Sequence, residues 1–241
     1  MEKQAVTLTR RHCRRLREMY RSAGWPCLDA IEVELLAAGL LVRVLHPDGR
    51  ETLRVSDAGI AVLAEVLASN KAARSAHETL VERVALEMCR AGRLVWRGLS
   101  LRARVADPCD EGRHVWCVAC PDVFSIRHTT VEASLEPVVH EIKVSRADLL
   151  GDLKKPAKRA AYLDIGGACW YVLGEGANGK PIAAAHEIPA ECGVMQWTDG
   201  RLEILRAAPR RTVERLPLHV WMALAKGTPV KEIADDAQAL L

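Results

Sequence analysis

The sequence predicts an α/β protein with a central mixed sheet, preceded by a smaller α+β module. Three observations carry that expectation. From residue 76 to 173 the apolar pattern runs helix, strand, strand, strand, helix, strand, whereas the first seventy residues run helix, helix, strand, tight turn, strand, helix. At 241 residues and 49% hydrophobic the chain has the material for buried cores, in one large domain or two modest ones of about 100–200 residues each. The expected division is a module at 1–73, a larger domain at 74–210 and a helical tail at 211–241.

Helical spacing of Cys13, Leu16, Met19 and Tyr20 predicts an amphipathic helix from Thr9 to Ala23, with arginines on its other side. Gly24 and Pro26 end it. Asp29 then caps a second helix through Ile31, Val33, Leu35 and Leu36, which stops at Gly39. LLVRVL and ETLRV flank Asp48-Gly49, a strong hairpin signal. Ser56 or Asp57 starts a helix expected to end near Asn70, and the polar stretch NKAARS (70–75) is the expected boundary. The run ELLAAGLLVRV…DGRETLRVSDAGIAVL resembles the end of winged-helix domains, with one helix fewer than such domains carry before the wing.

A helix over 76–91 follows, with Leu80, Val84 and Met88 on one stripe and Gly92 at its end. Leu94–Val105 and His114–Arg127 are the next two expected strands, the second containing Cys120-Pro121-Asp122. An insertion, HTTVEASLEP, leads to a third strand at Val138–Val144. Residues 147–165 form a charged helix interrupted at Pro156, and ACWYVL (168–173) is a buried fourth strand. Asn178-Gly179 turns the chain, two short strands (193–197 and 202–205) meet around Asp199-Gly200, and Leu216–Ala225 is a last helix.

No apolar run approaches the roughly 18–20 residues of a membrane helix. The amino-terminal stretch has no apolar segment behind its basic residues. A soluble, cytoplasmic protein without a membrane partner is expected, and its eight diluted cysteines should be reduced thiols. The net charge of +3 is uneven. Arg10, Arg11, Arg14, Arg15, Arg17 and Arg21 crowd the first helix, and Lys154, Lys155, Lys158 and Arg159 form a second cluster. Both suit phosphates.

The chemistry resides on the second and third expected strands, which carry Pro121-Asp122 and Glu141-Ile142-Lys143. Alternation puts Glu141 and Lys143 on one face and Ile142 in the core behind them. An adjacent strand can bring Asp122 beside Glu141, making a hard-oxygen pocket for Mg²⁺ or Mn²⁺. Without a cation, two such carboxylates raise one another's pKa. Lys143 beside the metal can hold the attacking water or the phosphate, and crowding by a cation can lower its pKa enough for proton transfer. Glu78 or Glu82 on the preceding helix is the candidate third acid, with Glu78 preferred. Lys154, Lys155, Lys158 and Tyr162 are placed to grip a nucleic-acid backbone, with Arg14 and Arg15 on the first module. An isolated E-x-K on a wet strand face is commonly a surface ion pair; the helix, the Pro-Asp, the hydrophobic flanks and the basic helix together change that reading.

This order and these motifs resemble the PD-(D/E)XK nucleases. The stretch VVHEIKVSRADLLGDLKKPAKRAAYLDIGGACWYVL, with the later GVMQW and GRLEILRAAP, resembles the MmcB family of bacterial DNA repair proteins over about residues 76–210. The resemblance implies a restriction-endonuclease-like core, metal-dependent DNA cleavage and a role in repair, carried onto Asp122, Glu141 and Lys143. The first seventy residues and the insertion before Pro137 depart from that pattern.

Other signals are weaker. Gly174–Lys180 nearly spells a P-loop, but Pro181 occupies the hydroxyl position, so a turn is expected. Cys109, His114, Cys117 and Cys120 invite a zinc or iron–sulfur site, yet on one regular strand Cys117 and Cys120 face opposite sides. A cysteine nucleophile paired with His140 or His114 lacks a local signature. His128 is read as a loop residue near the site or a surface histidine, and the six scattered tryptophans as packing anchors. The expected activity is Mg²⁺- or Mn²⁺-dependent DNA phosphodiester hydrolysis, with monomer or homodimer left open, and DNA not distinguished from RNA with certainty. The rivals are a non-catalytic DNA-binding or regulatory protein on a nuclease-like scaffold, and an interaction subunit.

Overall fold

The computed structural model describes residues 8–107, 109–110, 112–176 and 179–231. The chain divides into two compact units, Met1–Arg74 and Ser75–Leu241.

In the first unit, helix α1 (Arg10–Arg21) buries His12, Leu16 and Met19. The expected apolar stripe is shifted. Tyr20 is 63% exposed, and His12 takes the inner position because its Nε2 meets Glu34 Oε2 at 2.6 Å while Nδ1 accepts the Thr9 N–H. Helix α2 (Ala30–Ala37) begins at Asp29, whose carboxylate accepts the Glu32 N–H at 2.9 Å. Strands β1 (Leu41–Leu45) and β2 (Glu51–Val55) form the expected antiparallel hairpin. Gly24, with φ +77°, lies against β2 so closely that a Cβ there would stand 2.1 Å from the Leu53 carbonyl oxygen. Leu16, Leu35, Leu40, Leu41 and Leu53 make this unit's core.

Helix α3 runs without interruption from Asp57 to Arg90, 34 residues in all. The stretch 70–75, expected as a loop, is therefore helical. Its Lys, Ala and Arg residues are good helix formers with no Gly or Pro among them, and polarity there marks an exposed helix surface.

The second unit is mixed α/β around a six-stranded mixed sheet. The two strands expected before residue 128 each divide. Leu94–Val105 breaks at Gly98, with φ +64°, into β3 (Arg93–Arg97) and β4 (Leu101–Ala106). His114–Arg127 breaks at Cys120-Pro121-Asp122 into β5 (His114–Ala119) and β6 (Val123–Arg127). Proline lacks the N–H a ladder needs, which explains the second break. Strands β4 and β5 pair as a separate two-stranded ribbon, while β3 and β6 enter the main sheet.

Next come a short 3₁₀ turn at Glu132–Ser134, β7 (Val138–Lys143), α4 (Arg146–Leu153), α5 (Pro156–Ile165) and β8 (Ala168–Leu173). Pro156 starts α5 at its first position, where its missing N–H costs nothing. Strands β9 (Gly193–Thr198) and β10 (Arg201–Arg206) meet around Asp199 and Gly200, both at positive φ. The sheet order is β10-β9-β8-β7-β6-β3, with β7, β8 and β9 parallel. Helix α6 (Leu218–Lys226) contributes Val220 and Leu224 to this unit's core.

Each face of the sheet has its own core. Leu80, Val84 and Ala85 of α3 pack with Val123, Ile142 and Val172. On the other face Ala161, Tyr162, Ile165 and Leu149 pack with Phe124, Val139 and Tyr171. Among the described residues no helix is long and apolar enough to cross a membrane.

Candidate active site

Strand β7 alternates as expected. Ile142 is fully buried towards α3, which leaves Glu141 and Lys143 on the face covered by α4 and α5. Their side chains meet, Lys143 Nζ donating to Glu141 Oε1 at 2.7 Å. Strand β6 pairs antiparallel with β7 through Val123 and His140, so Asp122 stands one step beyond that pair, at the level of Glu141. Because the β5–β6 break frees Asp122 from the ladder, its Oδ2 accepts the Ile142 N–H at 2.7 Å. The structure thus brings Asp122, Glu141 and Lys143 to one end of adjoining strands.

Helix α4 adds two acids that the sequence did not point to, Asp148 and Asp152, and α5 turns Lys158, expected to grip a nucleic-acid backbone, into the cluster. Lys158 Nζ lies 2.5 Å from Glu141 Oε1 and 2.7 Å from Asp152 Oδ1. Lys143 Nζ is also 3.2 Å from Asp148 Oδ2 and 3.7 Å from Asp152 Oδ1. Two tyrosines close the cluster. Tyr162 donates its hydroxyl to Glu141 Oε2 at 2.7 Å, with the Cys120 carbonyl 2.9 Å away, and Tyr171 donates to Asp152 Oδ2 at 2.8 Å. A visible signal for Asp148 and Asp152 was their i, i+4 spacing on the first turns after β7, which puts both on one helix face. Tyr171 had no such signal, since β8 reads as an ordinary buried strand.

Burial opposes the charge on Lys143, but Glu141, then Asp152 and Asp148, outweigh it and hold its pKa above the ordinary lysine value. Lys158 is likewise raised: burial opposes its charge, and Glu141 and Asp152 prevail. For Asp152 burial works against ionisation, yet Lys158 and Lys143 lower its pKa. Burial, reinforced by Glu141 for Tyr162 and by Asp152 for Tyr171, pushes both phenols up, so both remain protonated donors. With no cation beside it, Lys143 is thus held protonated by its carboxylate neighbours.

Of the two glutamates weighed on the preceding helix, neither reaches the cluster. Glu78 is 69% exposed at its side chain and meets only His77 Nδ1, at 3.7 Å. His77, which the sequence analysis did not single out, takes the position expected for Glu78: its Nε2 lies 3.4 Å from Asp122 Oδ2, and that carboxylate, against the effect of burial, raises the imidazole pKa. Lys154 and Lys155 are exposed where α4 meets α5, whereas Lys158 points inward and Tyr162 is fully buried. In the first unit Arg14 is exposed and paired with Glu18 at 2.9 Å, but Arg15 is held by Asp29 at 2.6 Å. His128 follows the far end of β6, away from Asp122.

Among the described residues no group of three or more His, Cys, Asp or Glu side chains is arranged to hold a metal ion. Cys117 lies on the separate ribbon and Cys109 and Cys120 are exposed free thiols, so the soft-ligand set does not assemble. Glu175 pairs with Pro181 across a reversal in the P-loop-like stretch, whose Asn178 lies outside the described residues. The donor set at Asp122 and Glu141 nevertheless fits a hard divalent cation, which takes one or two carboxylates and keeps several waters. Three carboxylates (Glu141, Asp148, Asp152) face two ammonium groups there, while Asp122 meets the Ile142 N–H and His77. Both contacts to Asp122 fall on Oδ2, and among the described residues no donor is bonded to Oδ1. Glu141, by contrast, is shared among Lys143, Lys158 and Tyr162.

No family model matches this chain, and no curated protein does. Among solved structures it is similar to the SPO1766 protein of unknown function from Silicibacter pomeroyi, at 21% identity and a TM-score of 0.38, over 61% of this chain and 80% of that one.

Proposed function

We propose that the protein is a metal-dependent deoxyribonuclease of the PD-(D/E)XK type, similar to the MmcB proteins of DNA repair, with a restriction-endonuclease-like core and a winged-helix-like first unit. One observation supports this most: Glu141 and Lys143 are 2% and 4% exposed yet charged, in a cluster whose carboxylates outnumber its cations, with Asp122 beside them. Desolvating ions costs several kcal/mol each, so packing alone gives little reason to retain such a group on a sheet face.

In this reading Asp122 and Glu141 hold the Mg²⁺ or Mn²⁺, which would activate water and neutralise the leaving oxygen. Lys143, kept protonated by its carboxylates, stabilises charge on the phosphoryl oxygens. His77 orients the Asp122 carboxylate. Exposed Lys154 and Lys155, and Arg14 on the first unit, contact the DNA backbone, with affinity that falls steeply as salt rises.

A second reading draws on the saturation of Glu141, whose two oxygens have three donors. On it the cluster is structural and the protein binds DNA without cutting. Wild type and Lys143→Ala, incubated with plasmid, linear, single-stranded and branched DNA in Mg²⁺, Mn²⁺ and EDTA, separate the two. Metal-dependent cleavage lost in the variant, with binding retained, is the expected result. Binding without cleavage of any substrate supports the second reading.

A further inference from the structure

A concave site lies on the sheet face opposite the charged cluster, at the other end of β7. Val138, Ala168 and Trp170, which share that face, form its floor, and the cavity encloses about 330 Å³. Gly193 lets the Trp170 ring lie against the backbone of β9, since a Cβ there would meet Trp170 Cε3 at 2.4 Å. Gly167 similarly admits the 210–213 segment. The Arg211 N–H donates to the Gly167 carbonyl at 2.7 Å, and a Cβ on Gly167 would stand 2.9 Å from the Arg211 carbonyl oxygen.

Three arginines line this cavity: Arg93, Arg210 and Arg211. Arg93 is fixed by neutral oxygens, donating from Nε to Ser125 Oγ at 2.8 Å and from Nη2 to the Ser125 and Glu136 carbonyls. The lining carboxylate, Glu136, is taken by Arg127 at 3.0 Å. Among the described residues none of the three arginines has a carboxylate within ion-pair distance. Burial lowers the Arg93 pKa, Glu136 opposes that, and Arg127 and Arg210 lower it further. Like charges gathered in a partly closed space repel one another, and an anion placed among them relieves the repulsion.

We propose that this cavity binds a phosphate monoester with a flat apolar body, of the nucleoside monophosphate class, its phosphate held by the three arginines and its ring against Trp170. Planar guanidinium forks suit phosphate oxygens, and the volume suits a small ligand. The same chemistry is offered by a free nucleotide and by the 5′-phosphate end of a DNA strand. The proposal is independent of the nuclease reading, because it uses none of the residues on the other face.

Calorimetry on the full chain at fixed ionic strength tests it, with dAMP, deoxyadenosine, inorganic phosphate, citrate, and a short oligonucleotide with and without its 5′-phosphate. dAMP should bind about tenfold or more tighter than deoxyadenosine or phosphate alone. The exposed pair Arg210→Ala and Arg211→Ala should weaken dAMP by about tenfold or more, without moving the melting temperature of the free protein. A preference for the 5′-phosphorylated strand over dAMP assigns the strand end as the source; the reverse preference assigns the free nucleotide. Equal binding of dAMP and deoxyadenosine, tighter binding of citrate, undiminished binding in the double variant, or no binding by any probe overturns the proposal.

Discussion

The Lys158 ammonium and the Glu141 carboxylate meet at 2.5 Å, although one rides on α5 and the other on β7. The same nitrogen touches Asp152, so a single positive charge bridges two carboxylates from different elements. A divalent ion drawing on Glu141 competes for that oxygen. The sequence reading gave Lys158 to the nucleic acid; its geometry gives it to the centre of the cluster.

Lys158→Gln should therefore bind Mn²⁺ about tenfold tighter than wild type, roughly 1.4 kcal/mol, as read by electron paramagnetic resonance of the free ion. Unchanged or weaker binding would mean that the lysine and the ion do not share the carboxylate.

Lys143→Met keeps the side-chain length and removes the charge. Cleavage should fall by about a hundredfold or more. Urea unfolding should register a loss of roughly 3 kcal/mol, the lower end for breaking a buried pair, because Glu141 still has Lys158 and Tyr162. Wild-type cleavage in this variant would remove Lys143 from the chemistry.

His77 and Glu78 are neighbours in sequence with different expected effects. His77→Ala, which strips Asp122 of an orienting partner, should cost about tenfold in cleavage or Mn²⁺ affinity. Glu78→Ala should leave both near wild type, since its side chain is 69% exposed and meets only His77. Equal losses would restore Glu78 to the site.

The alternation of Glu141, Ile142 and Lys143 was legible because strand periodicity is local, and so were the capped helices and the turns at Asp48-Gly49 and Asp199-Gly200. The division of both early strands was not. Gly98 and Pro121 stood in view, but that their halves enter different sheets is decided by pairing partners distant in sequence. Nor was the long helix, since polarity at 70–75 reads equally as loop or exposed helix. In the site, the E-x-K was local, whereas the Tyr171–Asp152 bond exists only because α4, α5 and the return strand β8 stack over β7. Choosing His77 over Glu78 required knowing which side of α3 meets the sheet.

His140 supplies a pH dependence. Its ring is buried, its Nδ1 has no hydrogen-bond partner, and burial, aided by Arg93, pushes its pKa down to about 3. The unfolded imidazole takes up its proton near pH 6.5 while the folded one does not, so folding is unpenalised above that value. Below it, stability falls by roughly 1.4 kcal/mol per pH unit until the folded pKa is reached. Thermal unfolding between pH 7 and 4 should show this fall in wild type and a shallower one in His140→Phe; parallel curves would assign the acid sensitivity elsewhere.

The chain holds three tyrosines. Tyr162 and Tyr171 each donate a hydroxyl hydrogen bond to a carboxylate of the cluster, whereas Tyr20 is 63% exposed. Fluorine labelling of all tyrosines would thus yield a spectrum in which two resonances watch the buried acids from either flank and the third serves as an internal solvent reference, without any engineered tag.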